Sequence, residues 1–315
     1  MLSTYLEFER PLEDVDRRIE ALRGRESANG EVGALEVRRS ELESELYTEL
    51  AAWQRVQLSR HPDRPQTLDV AATVFQGFLE LHGDRSFSDD PAIVGGCAWL
   101  DGQAVLIVGH QRGRTTQEKL RRNFGMPKPE GYRKALRLFR LAERFGRPVV
   151  CLIDTQGAFP GPDAEERGQA EAIARNLRAM AALEVPIVVA VIGEGGSGGA
   201  LALGVGDRLL MLENACYSVI TPEGCASILY REKTAVSVAR AAEALKLTAR
   251  DLLDLRVIDE IVPEPAGGAH RHPVDAMVLL GGAIARHLRE LRGVPVPELL
   301  QSRYEKLRRM GAEAE

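Results

Sequence analysis

The sequence predicts an α/β protein whose strands pair largely in parallel, and three observations carry that prediction. Short apolar runs of strand length, such as Pro148–Asp154 and Ile187–Ile192, alternate with longer segments of helical periodicity. The glycines gather in the loops that follow those runs, where ligands of α/β proteins bind. The chain has 315 residues, 44% of them hydrophobic and 28% charged, which suffices for a large core in one domain or two.

Residues from about 10 to 58 carry Leu12, Val15, Ile19 and Leu22, and then, after a polar break around Gly24–Gly33, Leu35, Leu42, Leu46, Leu50 and Trp53. Spacings of three, four and seven predict two amphipathic helices, paired as an antiparallel hairpin that serves packing or assembly. The proline-punctuated stretch Arg60–Pro65 separates this hairpin, residues 1–60, from the main domain, residues 61–315. Thr67 is placed to cap the next helix, with Val70, Val74, Phe75 and Phe78 on its apolar face. Ala92–Leu100 and Ala104–Gly109 are two strands joined by Asp101-Gly102, a strong hairpin signal. Gly131–Phe145 is a helix, Pro148–Asp154 a buried strand, Asp154–Gly161 a loop, and Ala164–Leu183 one long helix. Ile187–Ile192 is a further buried strand. It opens into Gly193-Glu-Gly-Gly-Ser-Gly-Gly199 and a short helix. Arg208–Leu212 and Cys216–Ile220 are strands, Thr221–Gly224 begins a helical region, and beyond Pro263 a loop leads to a terminal amphipathic helix.

Five glycines within the seven residues Gly193–Gly199 let backbone N–H groups approach a ligand without interference from Cβ, and a following helix start adds partial positive charge. Three chemistries are legible there. Gly193-x-Gly195-x-x-Gly198 spells a dinucleotide fingerprint, with Glu213 twenty residues on, but Gly204-Val-Gly206 interrupts the helix that fingerprint requires. Gly195-x-Ser197-x-Gly199 spells a nucleophile elbow, for which Asp259 and His270 or His272 would complete a triad. The third chemistry is an oxyanion hole of peptide N–H groups without a protein nucleophile.

The net charge of −5 conceals a basic segment. His110–Arg147 holds twelve lysines and arginines against three glutamates. Such a segment in an acidic chain suits an anionic small molecule or partner, or a set of structural ion pairs, better than nucleic acid. Cys97, Cys151, Cys216 and Cys225 form no C-x-x-C pair, so neither a zinc ribbon nor a disulfide framework is expected. Neither a signal peptide nor an apolar run of membrane-spanning length is expected, and a cytoplasmic location fits.

The strings Gly109-His-Gln-Arg-Gly-Arg114, Arg121-Arg-Asn-Phe-Gly-Met-Pro127, Pro129-Glu-Gly-Tyr-Arg-Lys-Ala-Leu136, Gly193-Glu-Gly-Gly-Ser-Gly-Gly-Ala-Leu201, Pro222-Glu-Gly-Cys-Ala-Ser-Ile-Leu229 and Pro263-Glu-Pro-x-Gly-Gly-Ala-His-Arg271 closely resemble the carboxyltransferase alpha subunits of bacterial-type acetyl-CoA carboxylase. The resemblance covers essentially the whole chain, most tightly from about Arg60 to Arg271. It implies a crotonase-like (ClpP/crotonase) spiral of ββα units behind the N-terminal hairpin. It also implies carboxyl transfer from carboxybiotin to acetyl-CoA, giving malonyl-CoA, the first committed step of fatty acid synthesis. Members of the family work with a zinc-ribbon-bearing beta subunit as an α2β2 assembly. Biotin is tethered to a separate carrier protein, and ATP is used by a separate biotin carboxylase, so no metal or nucleotide is expected on this chain. The resemblance places the alpha-side oxyanion hole on Gly198 and Gly199, supported by Gly195, Gly196 and Ala200, with Gly157 and Ala158 in the neighbouring loop. In the family's usual scheme the acetyl enolate attacks released CO2 and the ureido nitrogen of biotin takes the methyl proton, so no protein base is needed. Arg112, Arg114, Arg121, Arg122, Arg133 and Lys134 are candidates for coenzyme A phosphates, the carrier or the beta interface. Gln156 stands where the family usually has proline, which implies an altered loop stiffness rather than lost activity.

Overall fold

A computed structural model describes residues 5–23 and 29–310. Eight strands form one sheet: β1 (Gln76–Glu80), β2 (Ile93–Leu100), β3 (Gln103–His110), β4 (Val149–Thr155), β5 (Ile187–Gly196), β6 (Arg208–Leu212), β7 (Cys216–Ser218) and β8 (Glu260–Val262). Their order is β1-β2-β3-β4-β5-β6-β8, with β7 paired to β5. β2 pairs antiparallel with both β1 and β3, and every pairing from β3 onward is parallel. Asp101 and Gly102 both have positive φ (49° and 73°), the twist a two-residue hairpin needs. Every residue of β4 and β5 is buried, as expected for strands covered on both faces, which explains their unbroken apolar runs.

The helices are α1 (Arg10–Leu22), α2 (Asn29–Thr48), α3 (Ala52–Ser59), α4 (Thr67–Val74), α5 (Thr116–Arg121), α6 (Pro129–Arg144), α7 (Pro162–Glu166), α8 (Gln169–Ala182), α9 (Ser197–Leu201), α10 (Pro222–Leu229), α11 (Ala235–Ala244), α12 (Ala249–Asp254), α13 (Pro273–Leu291) and α14 (Val296–Arg309). The predicted hairpin is formed by α1 and α2. Glu9, just before α1, accepts a hydrogen bond from Tyr47 near the end of α2 (2.5 Å), so the two run antiparallel. Part of the predicted break, residues 24–28, lies outside the described residues, while Gly30 and Gly33 belong to α2.

Several expectations need correction. Trp53 belongs to a third helix, α3, because the second ends at Thr48. Thr67 is the first residue of α4 rather than its cap. Its hydroxyl donates instead to the His110 carbonyl (2.6 Å), and Asp69 accepts from the Gln66 N–H (2.7 Å) at the helix start. Phe78 lies in β1, an edge strand that pairs with β2, the next strand, across a loop of twelve residues. The single helix expected over Ala164–Leu183 is two, α7 and α8, divided at Gly168, whose φ of 82° no helix accommodates. The strand beginning at Ile187 runs through four more residues to Gly196, because β7 pairs with that glycine-rich extension. β7 itself ends at Ser218, two residues short of expectation. β8 is only three residues long, too short to read as a pattern. The terminal helix is two helices, α13 and α14, separated around Gly293 (φ 85°).

Candidate active site

The site forms where β4 and β5 end side by side. β5 pairs along its first half with β6 and along its second half with β7, so its last residues leave the main sheet between β4 and β7. At Gly196 a Cβ would sit 2.0 Å from the Gln156 carbonyl oxygen, and at Gly199 one would sit 2.4 Å from the Ala158 nitrogen. Both approaches are backbone against backbone, so any side chain at these two positions would push the loop 156–158 off the turn. The structure thus brings together Gly157, Ala158, Gly196 and Gly199. Gly195 joins them with Tyr217 packed against its face, and Ala200 lies buried in α9 behind. Thr155 fixes the loop: its hydroxyl donates to the Gly157 carbonyl (2.8 Å) and accepts from the Gly157 N–H (3.1 Å).

Gly198 differs from its neighbours. A Cβ there would have Ile173 as its nearest neighbour at 3.8 Å, ordinary contact, so the fold itself leaves this position open. Gly198 also lines a cavity of about 350 Å³ walled by Leu201, Tyr217, Val219 and Leu255, with Lys246 among its lining residues. α9 spans five residues, and the first-turn N–H groups of such a helix have no partner within it. The chain therefore offers peptide donors beside an apolar chamber.

Behind the turn lies a partly buried chain of alternating charge. Asp154 accepts from the Glu194 peptide N–H (3.0 Å) and from Arg112 (3.2 Å). Glu194 pairs with Arg60 (2.8 Å), and Arg60 pairs with Glu223 (2.6 Å) at the start of α10. Burial opposes the charge on Arg112, but Asp154 and Glu194 outweigh it and its pKa is raised. This network ties the ends of β4 and β5 to α3 and α10, and sequence reasoning missed it, because Arg60 and Glu194 are far apart in the chain. His110, at the end of β3, is wholly buried. Desolvation brings its pKa down to about 3, so its ring is neutral, and Nδ1 accepts from the Asp154 N–H (3.4 Å).

The basic segment is divided. Lys134 is completely buried and donates to Asp89 (2.5 Å) and to the Asp90 carbonyl (2.8 Å). Arg133 bonds Asp84 (2.8 Å) and Glu130 (2.8 Å), and Arg112 belongs to the network under the turn. Arg114 holds Asp69 at the surface (2.8 Å), Arg122 donates to the Pro91 carbonyl (2.7 Å), and Arg121 is exposed. Arg112, Arg133 and Lys134 are thus engaged in ion pairs inside the fold.

Ser197 does hold the left-handed backbone of a nucleophile elbow, with φ 54°. Its expected partners lie elsewhere. Asp259 binds Lys306 and the Leu209 N–H, and His270 bonds Glu9 (3.1 Å) against the N-terminal hairpin. Among the described residues no hydrogen bond joins Ser197 to a histidine, and the triad reading fails on that geometry. The dinucleotide reading fails on the five-residue length of α9.

A parallel-rich sheet whose adjacent strand ends build a peptide-lined turn belongs to the crotonase-like fold class. Solved structures share this fold. The beta subunit of P. aeruginosa geranyl-CoA carboxylase superposes with a TM-score of 0.55 at 20% identity, covering 77% of this chain and 46% of that one. The transcarboxylase 12S hexamer core gives 0.54 at 22%, covering 69% and 41%. The family described as acetyl co-enzyme A carboxylase carboxyltransferase-like matches residues 5–311. The acetyl-coenzyme A carboxylase carboxyl transferase subunit alpha of Methylococcus capsulatus is 57% identical over 308 residues, 96% of this chain and 95% of the relative. That of Geobacter metallireducens is 56% identical over 100% of both chains. The chain belongs to the family of acetyl-CoA carboxylase carboxyltransferase alpha subunits.

Proposed function

We propose that this chain is the alpha half of a carboxyltransferase that moves a carboxyl group from carboxybiotin to acetyl-CoA, forming malonyl-CoA for fatty acid synthesis. It acts in an α2β2 assembly with a beta subunit, with biotin presented by a carrier protein charged by a separate biotin carboxylase. The observation that carries the reading is family membership along the whole chain, joined to a glycine turn that is open at Gly198 and closed by backbone contact at Gly196 and Gly199.

Carboxybiotin, when bound, supplies the carboxyl group. The groups this chain contributes are the peptide N–H bonds of Gly198 and Gly199, which stabilise negative charge on an oxygen at the turn, either the enolate of the acetyl thioester or the ureido oxygen of biotin. Gly195 and Gly196 let the strand end approach, Gly157 and Ala158 hold the turn from the β4 side, and Ala200 fills the space behind it. The partly buried charge network fixes these strand ends, so the donors are set before substrate arrives. Preorganised donors of this kind are each worth roughly 100- to 1,000-fold in rate. Arg114, Arg121 and Arg122 remain nearer the surface for coenzyme A phosphates or the beta subunit, whereas Arg112, Arg133 and Lys134 serve the scaffold. No helix of the described residues is long and apolar enough to cross a membrane, and we assign the assembly to the cytoplasm.

The test is co-expression with a beta subunit and a biotin-dependent assay for malonyl-CoA. Activity should require both chains, and full activity from this chain alone would refute the reading. A fluorophosphonate probe should leave Ser197 unlabelled.

A further inference from the structure

β5 and β6 run parallel, so the start of β6 lies at the end of the sheet away from the glycine turn. There, between the ends of α12 and α13 and one face of α14, lies a cavity of about 590 Å³, within the size range of small-molecule sites. Leu253, Ile258, Leu291 and Val294 give it apolar walls. Its charged lining comprises five cations (Arg208, Arg256, Arg303, Lys306, Arg309) and three acids (Asp207, Asp259, Glu298), a cationic surplus of two.

The cations are not equally available. Arg303 is buried and held by both oxygens of Asp207 (2.8 and 2.9 Å) and by the carbonyls of Met180, Leu183 and Val185. Lys306 is paired with Asp259, and Arg309 with Glu305 (2.9 Å). Arg208 is partly buried, and its guanidinium donates to a neutral acceptor, the Asp207 carbonyl (3.0 Å). The Arg256 side chain makes no ion pair or hydrogen bond among the described residues and is exposed at the cavity.

The backbone at Arg256 is an independent observation. α12 ends with Val257 N–H on the Leu252 carbonyl (2.8 Å) and Arg256 N–H on the Leu253 carbonyl (3.0 Å), and Arg256 takes φ 57°. That left-handed slot is normally filled by glycine, which enters it without strain. A cation near a helix C-terminus is favoured by the dipole, which offsets part of the strain, but it does not require this slot. The arginine in this slot lines the cavity.

We propose that this cavity binds a small amphipathic anion, with a phosphate-type dianionic head met by Arg256 and Arg208 and an apolar body laid against Leu253, Ile258 and Val294. Guanidinium groups suit such a head because they bind phosphate oxygens through paired N–H donors. The site is separate from the glycine turn and does not depend on the reading of the turn.

The experiment is titration calorimetry on the full chain with n-octyl phosphate below its micelle concentration, and with inorganic phosphate and n-octanol as head and tail alone. Octyl phosphate should bind saturably, one per chain, and at least about tenfold tighter than either part. Arg256→Gly should weaken it about ten- to hundredfold, the worth of a charge-assisted hydrogen bond, while Tm holds or rises because the left-handed strain is removed. Should Arg256→Gly lower Tm, Arg208→Gln, which leaves the backbone unchanged, carries the same expectation of weaker binding. Absence of saturable binding, wild-type affinity in both variants, or phosphate alone binding as tightly as octyl phosphate would each overturn the proposal.

Discussion

Gly198→Ala separates the peptide-donor reading of the turn from a purely architectural one. The new Cβ meets nothing closer than Ile173 at 3.8 Å, so the fold accepts it. Position 198 lies within α9, where replacing glycine by alanine removes an entropic cost, so stability should hold or rise by about 0.5–1 kcal/mol. Yet Gly198 itself lines the cavity in which the donors must meet the substrate oxygen, so a methyl group is added beside them. With the donor obstructed, carboxyl transfer in the assembled enzyme should fall by about 100- to 1,000-fold, the range for loss of one oxyanion donor. Gly199→Ala is the contrasting case. Its Cβ would lie 2.4 Å from the Ala158 nitrogen and 2.4 Å from the Gly157 carbonyl carbon, so the backbone must move, at a cost of about 1–3 kcal/mol or more. The assays are malonyl-CoA formation with the beta subunit and urea unfolding of each variant. Wild-type activity in both Gly198→Ala and Gly198→Val would show that this N–H does not serve the reaction, and the oxyanion assignment at 198 would fall.

Arg303→Met leaves the Asp207 carboxylate buried without its partner, and should destabilise the chain by about 3–5 kcal/mol in denaturant unfolding. His110 has a folded pKa of about 3 against 6.5 for the free group, because burial disfavours its charge. The unfolded chain therefore binds the extra proton as pH falls from 6.5 towards 3, and stability drops across that window. Asp90 works in the opposite sense: burial raises its pKa from 3.8 to about 6, so protonation favours the folded chain below that value. Urea midpoints of His110→Asn should accordingly show a shallower loss towards acid than wild type. Gln156→Pro should retain activity in the same assay, because the turn touches position 156 through its carbonyl oxygen, which proline also carries.

The alternation of apolar runs with helical periods made the parallel sheet legible, since β4 and β5 are buried on both faces and so must be continuously apolar. The Asp101-Gly102 hairpin was equally plain. What escaped depends on partners distant in sequence. β1 and β8 are short and gain their identity from β2 and β6. The network of Arg60, Glu194, Arg112 and Asp154 exists only once α3 is laid across the ends of β4 and β5. The basic segment left two readings open for the same reason: its surplus of positive charge is real, but Lys134 and Arg133 are matched by Asp89, Asp84 and Glu130, and the first two of those acids lie outside the segment.

The glycine turn shows why a motif spelled in glycines reads as several chemistries at once. A sequence records that a side chain is absent, not what excludes it. At Gly196 and Gly199 the excluding object is the backbone of the 156–158 loop, whereas at Gly198 no part of the chain excludes a Cβ. The dinucleotide spelling counts Gly198 and the elbow spelling counts Gly199, and neither registers what excludes a side chain at either. Once the three glycines are distinguished, two have an architectural reason and the third has a functional one under the oxyanion reading. Ser197 fits the same division. It adopts φ 54°, as an elbow serine does, yet its hydroxyl has no histidine bonded to it, so the conformation serves to start α9 immediately after the strand. Ser197→Gly should then relieve the left-handed strain and leave carboxyl transfer near wild type. A loss as deep as that expected for Gly198→Ala would instead assign the hydroxyl a part in the reaction.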